Sequence, residues 1–187
     1  MMYFLDFDGV LFDTKALKEA MERLNVPESE RSRTTFDLLH SLDSAFDARQ
    51  FLFADAERFL LEHGSECFVV SSYLSVDPAK NVDPEEQRAY QETKIMRSGV
   101  GALVGDDHVH VVGESKEDAL RMLVLKAQEQ RHAYLFIDDH AGHIMRAYDA
   151  GIPVLWMRRP AYSESPESDV SASVPRIASF DEVEQFS

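Results

Sequence analysis

The sequence predicts an α/β protein: a three-layer, Rossmann-like parallel sheet with helices on both faces and a small helical cap insertion. Two observations carry that fold class. Short apolar runs alternate with longer helical patterns, the order expected of strand–helix–strand units. The runs also lack polar alternation, as strands buried on both faces do. At 187 residues, 44% hydrophobic and 28% charged, the chain has room for one domain with an ordinary core, and whole-chain disorder is excluded.

The expected strands are Tyr3–Phe7, Cys67–Val70, Val109–Val112, Tyr134–Ile137 and Pro153–Trp156. Asp13 or Thr14 caps a first helix whose stripe is Leu17, Ala20, Met21 and Leu24, ended by Asn25 and Pro27. Residues 14–66 exceed what one crossover helix needs, and the surplus, about 26–50, is the small, mostly helical insertion. Asp83, Pro84 and Glu86 start another helix. Ser115 and Asp118 repeat that spacing ahead of Leu120, Leu123, Val124 and Ala127. Ile144, Ala147 and Tyr148 form a stripe closed by Gly151, and Ser179 with Glu182 opens a last short helix. The serine-, proline- and acid-rich stretch 162–173 reads as a surface loop.

Acidic residues number 34 against 19 basic ones, a net charge of −15. That sign disfavours nucleic acid and anionic membranes as partners. Cys67 is the single cysteine, so neither an intrachain disulfide nor a thiol zinc site is available and a reducing cytoplasm is the expected compartment. The apolar start is cut by Asp6 and Asp8, too short for a signal peptide, and no later run reaches membrane-spanning length.

Four features fall at the C-terminal ends of four expected strands, where ligands of open parallel sheets bind. Asp6-Phe7-Asp8-Gly9 puts two carboxylates at i and i+2 on one side, with a glycine for a sharp turn. One acid can act as nucleophile and the other as proton carrier, or the motif is a plain acidic turn. Ser71 ends its strand with a hydroxyl able to bond a phosphoryl oxygen, or simply to close the strand; Ser72 is its neighbour but points the other way. Lys116 stands where a helix dipole disfavours it, a liability that an anion would convert into a binding site, unless the side chain points to solvent. Asp138-Asp139 after Leu135-Phe136-Ile137 is costly unless the pair binds a cation or caps the next helix, and oxygen ligands suit magnesium.

Together these motifs resemble the haloacid dehalogenase-like (HAD) superfamily. Residues 6–14, Asp6 through Thr14, look like its first motif, Ser71 its second, Lys116 its third and Asp138-Asp139 its fourth in the double-aspartate form. Ala150-Gly151-Ile152-Pro153 is similar to the family's usual ending. The resemblance spans roughly residues 3–157 without the insertion, which stands at the first cap position. It implies a magnesium-dependent phosphatase using an aspartyl-phosphate. Asp6 would be the nucleophile and Asp8 the acid and base, with Ser71 and Lys116 on the phosphoryl oxygens. Asp6, the backbone carbonyl of Asp8, and Asp138 would hold the metal. Asp139 would act through water or by orienting Lys116. The implied partner is a phosphorylated small molecule. Lys116 is followed by Glu117 rather than the common proline, and no further acid follows Asp139 within one helical turn.

The alternative from another class is a noncatalytic module of the same fold that binds a phosphorylated ligand or a protein. The residues place no constraint on oligomeric state; a small cap fits an extended substrate or a lid from another subunit. Arg158 and Arg159 either grip a distal anion or form a solvated turn. His140 and His143, just after the acidic pair, either come near the metal without binding it or, at i and i+3 on a helix start, are surface or capping residues, and His108 and His110 read as structural ones. Lys94 is expected far from any strand end, a weaker phosphate ligand than Lys116.

Overall fold

The computed structural model describes residues 1–25, 27, 29–31, 37, 47–73, 83–113, 115–160, 162 and 170–186. The expected insertion over about 26–50 and loop over 162–173 therefore lie largely outside the described residues.

Six parallel strands form one sheet: β1 (Met2–Leu5), β2 (Cys67–Ser72), β3 (Val109–Val112), β4 (Tyr134–Asp138), β5 (Val154–Met157) and β6 (Arg176–Ile177). Their order is β3-β2-β1-β4-β5-β6, so the direction of winding reverses between β1 and β4. That crevice is where an open sheet of this order binds ligands.

Alternation along the strands builds two cores. Tyr3 and Leu5 of β1 join the cluster under α1 (Thr14–Arg23), α2 (Ala54–His63), α3 (Pro84–Arg97) and α4 (Val100–Val104). Met2 and Phe4 face the opposite cluster, filled by Leu120 and Leu123 of α5 (Glu117–Glu129) and Ile144 and Ala147 of α6 (Ala141–Asp149). Helices thus cover both faces, as the unbroken apolar runs require. Among the described residues no helix is long and apolar enough to cross a membrane.

Several boundaries move for identifiable reasons. β1 stops at Leu5 rather than Phe7 because the Phe7 carbonyl already accepts the amides of Leu11 and Phe12 at 3.0 and 2.9 Å. Asp13, not Thr14, caps α1, accepting from the Ala16 amide at 2.7 Å. Asp83 caps α3 with Pro84 at its first position. The Ser115 hydroxyl takes the Glu117 amide at 3.1 Å, leaving Lys116 as the last residue before α5. The last helix is a 3-10 segment, Phe180–Phe186, with Glu182 accepting from the amides of Ala178 and Ser179. β6 is too short for periodicity to announce; it pairs Arg176 with Trp156 and Ile177 with Met157.

Candidate active site

The register delivers the acids to one point. Leu5 pairs with Ile137, and the Asp6 amide donates to the Ile137 carbonyl at 2.9 Å, so Asp6 and Asp138 leave adjacent strands side by side. The chain then folds back tightly, with Phe7 and Phe12 stacked at 4.9 Å beneath the turn. Gly9 is required twice over. Its φ is +75°, and a Cβ there would lie 2.1 Å from Asp139 Oδ2.

Lys116 Nζ lies 2.7 Å from Asp6 Oδ1 and 2.8 Å from Asp138 Oδ2, and all three residues are buried. Asp138 Oδ1 accepts the His140 amide at 2.7 Å, while Oδ2 also meets His143 Nδ1 at 3.1 Å. Asp8 has separate partners: Lys94 Nζ at 2.6 Å, Gln91 Nε2 at 2.6 Å and the Thr14 hydroxyl. Gln91 also donates to Ser71 Oγ at 2.8 Å, which links Ser71 to Asp8. Asp139 is fixed through its carbonyl, which accepts from Trp156 Nε1 at 2.9 Å. All six predicted residues (Asp6, Asp8, Ser71, Lys116, Asp138 and Asp139) therefore meet at the C-terminal edge of the sheet.

Lys94 is not remote, as the sequence suggested, but points into this site. Its ammonium sits among Phe7, Phe12 and Tyr90, between 5.3 and 5.8 Å from their ring centres, and aims at Asp8. Its distance from a strand end along the chain does not carry over into space. α3 starts at Pro84 but first meets Asp8 at Gln91, seven residues or about 10 Å along its axis. The available signal was Gln91 and Lys94 at i and i+3, polar residues on a helix face that also carries the buried Ile95. Of the two readings for His143, a surface or capping residue and one near the metal, the geometry favours the second: it is largely buried against Asp138. Arg159 is not free to grip an anion. It pairs with Asp55 at 3.0 Å, donates to the Val10 carbonyl and lies over the Phe53 ring. His108 is structural as expected, stacked 3.9 Å from Phe68.

Electrostatics separate the acids. Burial, with the Asp138 and Asp8 charges adding to it, outweighs Lys116 and raises the Asp6 pKa to about 6. Burial and the charges of Asp6 and Asp138 push Asp139 to about 8. Asp8 moves the other way: Lys94, Thr14 and Gln91 overcome its burial and hold it below the ordinary carboxylate range. Asp138 is also depressed, its burial outweighed by Lys116 and His143. Fully ionised, four carboxylates face two ammonium groups, leaving two negative charges. A divalent cation fits that excess, and Asp6 and Asp138 offer it hard oxygen donors within 4.8 Å of each other.

The raised acids set a pH dependence. The folded chain keeps protons on Asp6 and Asp139 that the unfolded chain releases near 3.8. Their contribution to stability is complete below that value and is lost as pH rises through about 6 and about 8. Asp8 and Asp138, depressed, act only below the ordinary range, and His110 and His140 oppose the trend only below 6.5. In EDTA the unfolding free energy is therefore expected to fall between pH 6.5 and 8 with a slope approaching about 1.4 kcal/mol per pH unit, and the melting temperature to fall with it. Millimolar magnesium should flatten that slope, because it favours the ionised acids. Paired thermal melts check this, and a flat or rising curve in EDTA would contradict it.

No family model matches the sequence, and no curated protein does. Solved structures share the fold. A haloacid dehalogenase-like hydrolase from Burkholderia xenovorans LB400 superposes with a TM-score of 0.62 at 16% identity, over 98% of this chain and 94% of that one. The magnesium-bound HAD-hydrolase YfnB from Bacillus subtilis gives 0.57 at 15%, over 99% and 97%. The L-2-haloacid dehalogenase from Xanthobacter autotrophicus gives 0.57 at 14%, over 100% and 98%. The chain thus has the haloacid dehalogenase-like fold, a scaffold shared by proteins of different reaction chemistry.

Proposed function

We propose that this chain is a phosphatase of the HAD superfamily, a magnesium-dependent phosphomonoester hydrolase working through an aspartyl-phosphate on Asp6. The observation that carries the reading is a second acid, Asp8, two residues after Asp6 and held by Lys94, Gln91 and Thr14 beside Ser71. A dehalogenase has no leaving oxygen to protonate and needs no such group.

Asp6 attacks phosphorus in line while Asp8 protonates the departing oxygen; Asp8 then takes a proton from the water that cleaves the acyl phosphate. The approach of a dianionic phosphoryl group raises the proton affinity of Asp8, offsetting the pull of Lys94. Ser71 and Lys116 stabilise charge on the equatorial oxygens. Asp6, the backbone carbonyl of Asp8, and Asp138 would hold the magnesium, with Asp139 close by. When bound, the ion supplies the positive charge that lets an anionic nucleophile meet an anionic phosphate. A phosphorylated small molecule is the proposed substrate. The buried thiol of Cys67, its pKa pushed up by burial, suits a reducing cytoplasm.

Phosphate release from an aryl phosphate and a panel of phosphorylated metabolites tests the proposal, with magnesium and with EDTA. Magnesium-dependent turnover of at least one compound is expected. Binding of a phosphorylated compound without turnover would favour a noncatalytic module instead.

A further inference from the structure

Resting on the phosphatase reading above, we infer that His143 is a nitrogen ligand of the metal, and that the site therefore binds a later first-row transition ion such as Co²⁺ more tightly than Mg²⁺. Asp6, Asp138 and His143 each present one donor atom, and these atoms lie within 4.8 Å of one another. Two donors at about 2.1 Å from one octahedral ion stand about 3 Å apart when adjacent and about 4.2 Å apart when opposite. The His143 Nδ1 to Asp138 Oδ2 distance, 3.1 Å, matches the adjacent case.

The ring is placed by the backbone. His143 sits in the first turn of α6, its amide bonded to the His140 carbonyl at 3.1 Å, with the two imidazoles packed 4.6 Å apart. Gly142 leaves room for that packing, since a Cβ there would lie 3.0 Å from His140 Cε1. Held in this way, His143 brings an imidazole to a place where the double-aspartate loop provides no third carboxylate. Its Nδ1 faces Asp138 Oδ2, an acceptor, so ligation requires the ring proton on Nε2 and the Nδ1 lone pair free for the metal. Two carboxylates and an imidazole form a mixed oxygen–nitrogen set, and imidazole favours transition ions over magnesium, which prefers oxygen throughout.

A histidine that merely orients Asp138 would support every metal alike, so selectivity separates the two roles. Calorimetric titration of the metal-free protein with MgCl₂ and CoCl₂ should give tighter cobalt binding. In His143→Ala, cobalt affinity should fall by about 10- to 100-fold and magnesium affinity by no more than about threefold. His143→Asn, which returns an oxygen at the same reach, should keep magnesium binding without recovering cobalt binding. Pulsed EPR of the Mn²⁺-loaded wild type should show an imidazole ¹⁴N coupling that is absent from both variants. Equal losses for the two metals, or no nitrogen coupling, would overturn the inference while leaving a magnesium phosphatase standing. A nitrogen-ligated metal without phosphomonoester turnover would retain this inference and overturn the functional proposal. Failure of all of these ions to bind would overturn both.

Discussion

Asp6→Asn is expected to lower kcat for phosphomonoester hydrolysis by at least about 10⁴-fold while leaving the fold intact or firmer. The amide has the carboxylate's shape, and its oxygen can still accept from Lys116, which stands 2.7 Å from Asp6 Oδ1. It lacks the charge and electron density to attack phosphorus. The same substitution removes one of several crowded acids, whose repulsion and burial have raised the Asp6 pKa to about 6. In EDTA at pH 8 the variant should therefore melt no lower than the wild type, and its magnesium affinity should drop. Loss of activity with gain of metal-free stability is the signature of a charge kept for chemistry rather than for folding. Turnover within tenfold of wild type would place the nucleophile elsewhere.

The fold was legible because its strands are buried on both faces, so Phe68-Val69-Val70 and Leu135-Phe136-Ile137 stand out as unbroken apolar runs. The chemistry at the strand ends was legible for a related reason. An acid, a serine or a lysine following such a run must leave the sheet at its C-terminal edge, so the sequence alone brings Asp6, Ser71 and Asp138 together. What escaped reading lies on helices. Lys94 and Gln91 lie 86 and 83 residues from Asp8 in sequence, and their i, i+3 spacing marks a shared helix face without saying which strand end that face meets. His143 looked like any histidine near a helix start; its role depends on Asp138 lying at the preceding strand end within reach of its ring. Arg159 shows the converse error. Its position after β5 suggested an anion grip or a solvated turn, whereas the side chain is buried and its charge is spent on Asp55, 104 residues away in sequence.

Lys116→Met is expected to separate the two tasks of that lysine, one in folding and one in catalysis. Its ammonium lies between Asp6 and Asp138, at 2.7 and 2.8 Å, in a setting almost closed to solvent. Its own pKa is raised, because both carboxylates together overcome the burial that opposes its charge. Methionine keeps the volume and removes the charge, leaving neighbouring buried carboxylates without compensation. Breaking a buried ion pair in this way costs about 3–5 kcal/mol, which for a chain of this size lowers the melting point by roughly 6–20 °C. Divalent metal binds the folded state alone and should recover much of that loss, by RT ln(1 + [L]/Kd). Activity should not follow. The ion would meet the acids, but on the proposed mechanism the lysine also serves the phosphoryl oxygens, and loss of one such donor lowers kcat by about 10²- to 10³-fold. Thermal melts and phosphate release, each with EDTA and with saturating magnesium, read the two effects apart. Recovery of both stability and turnover would show that Lys116 does no more than stand in for the metal; recovery of stability alone assigns it to the transition state.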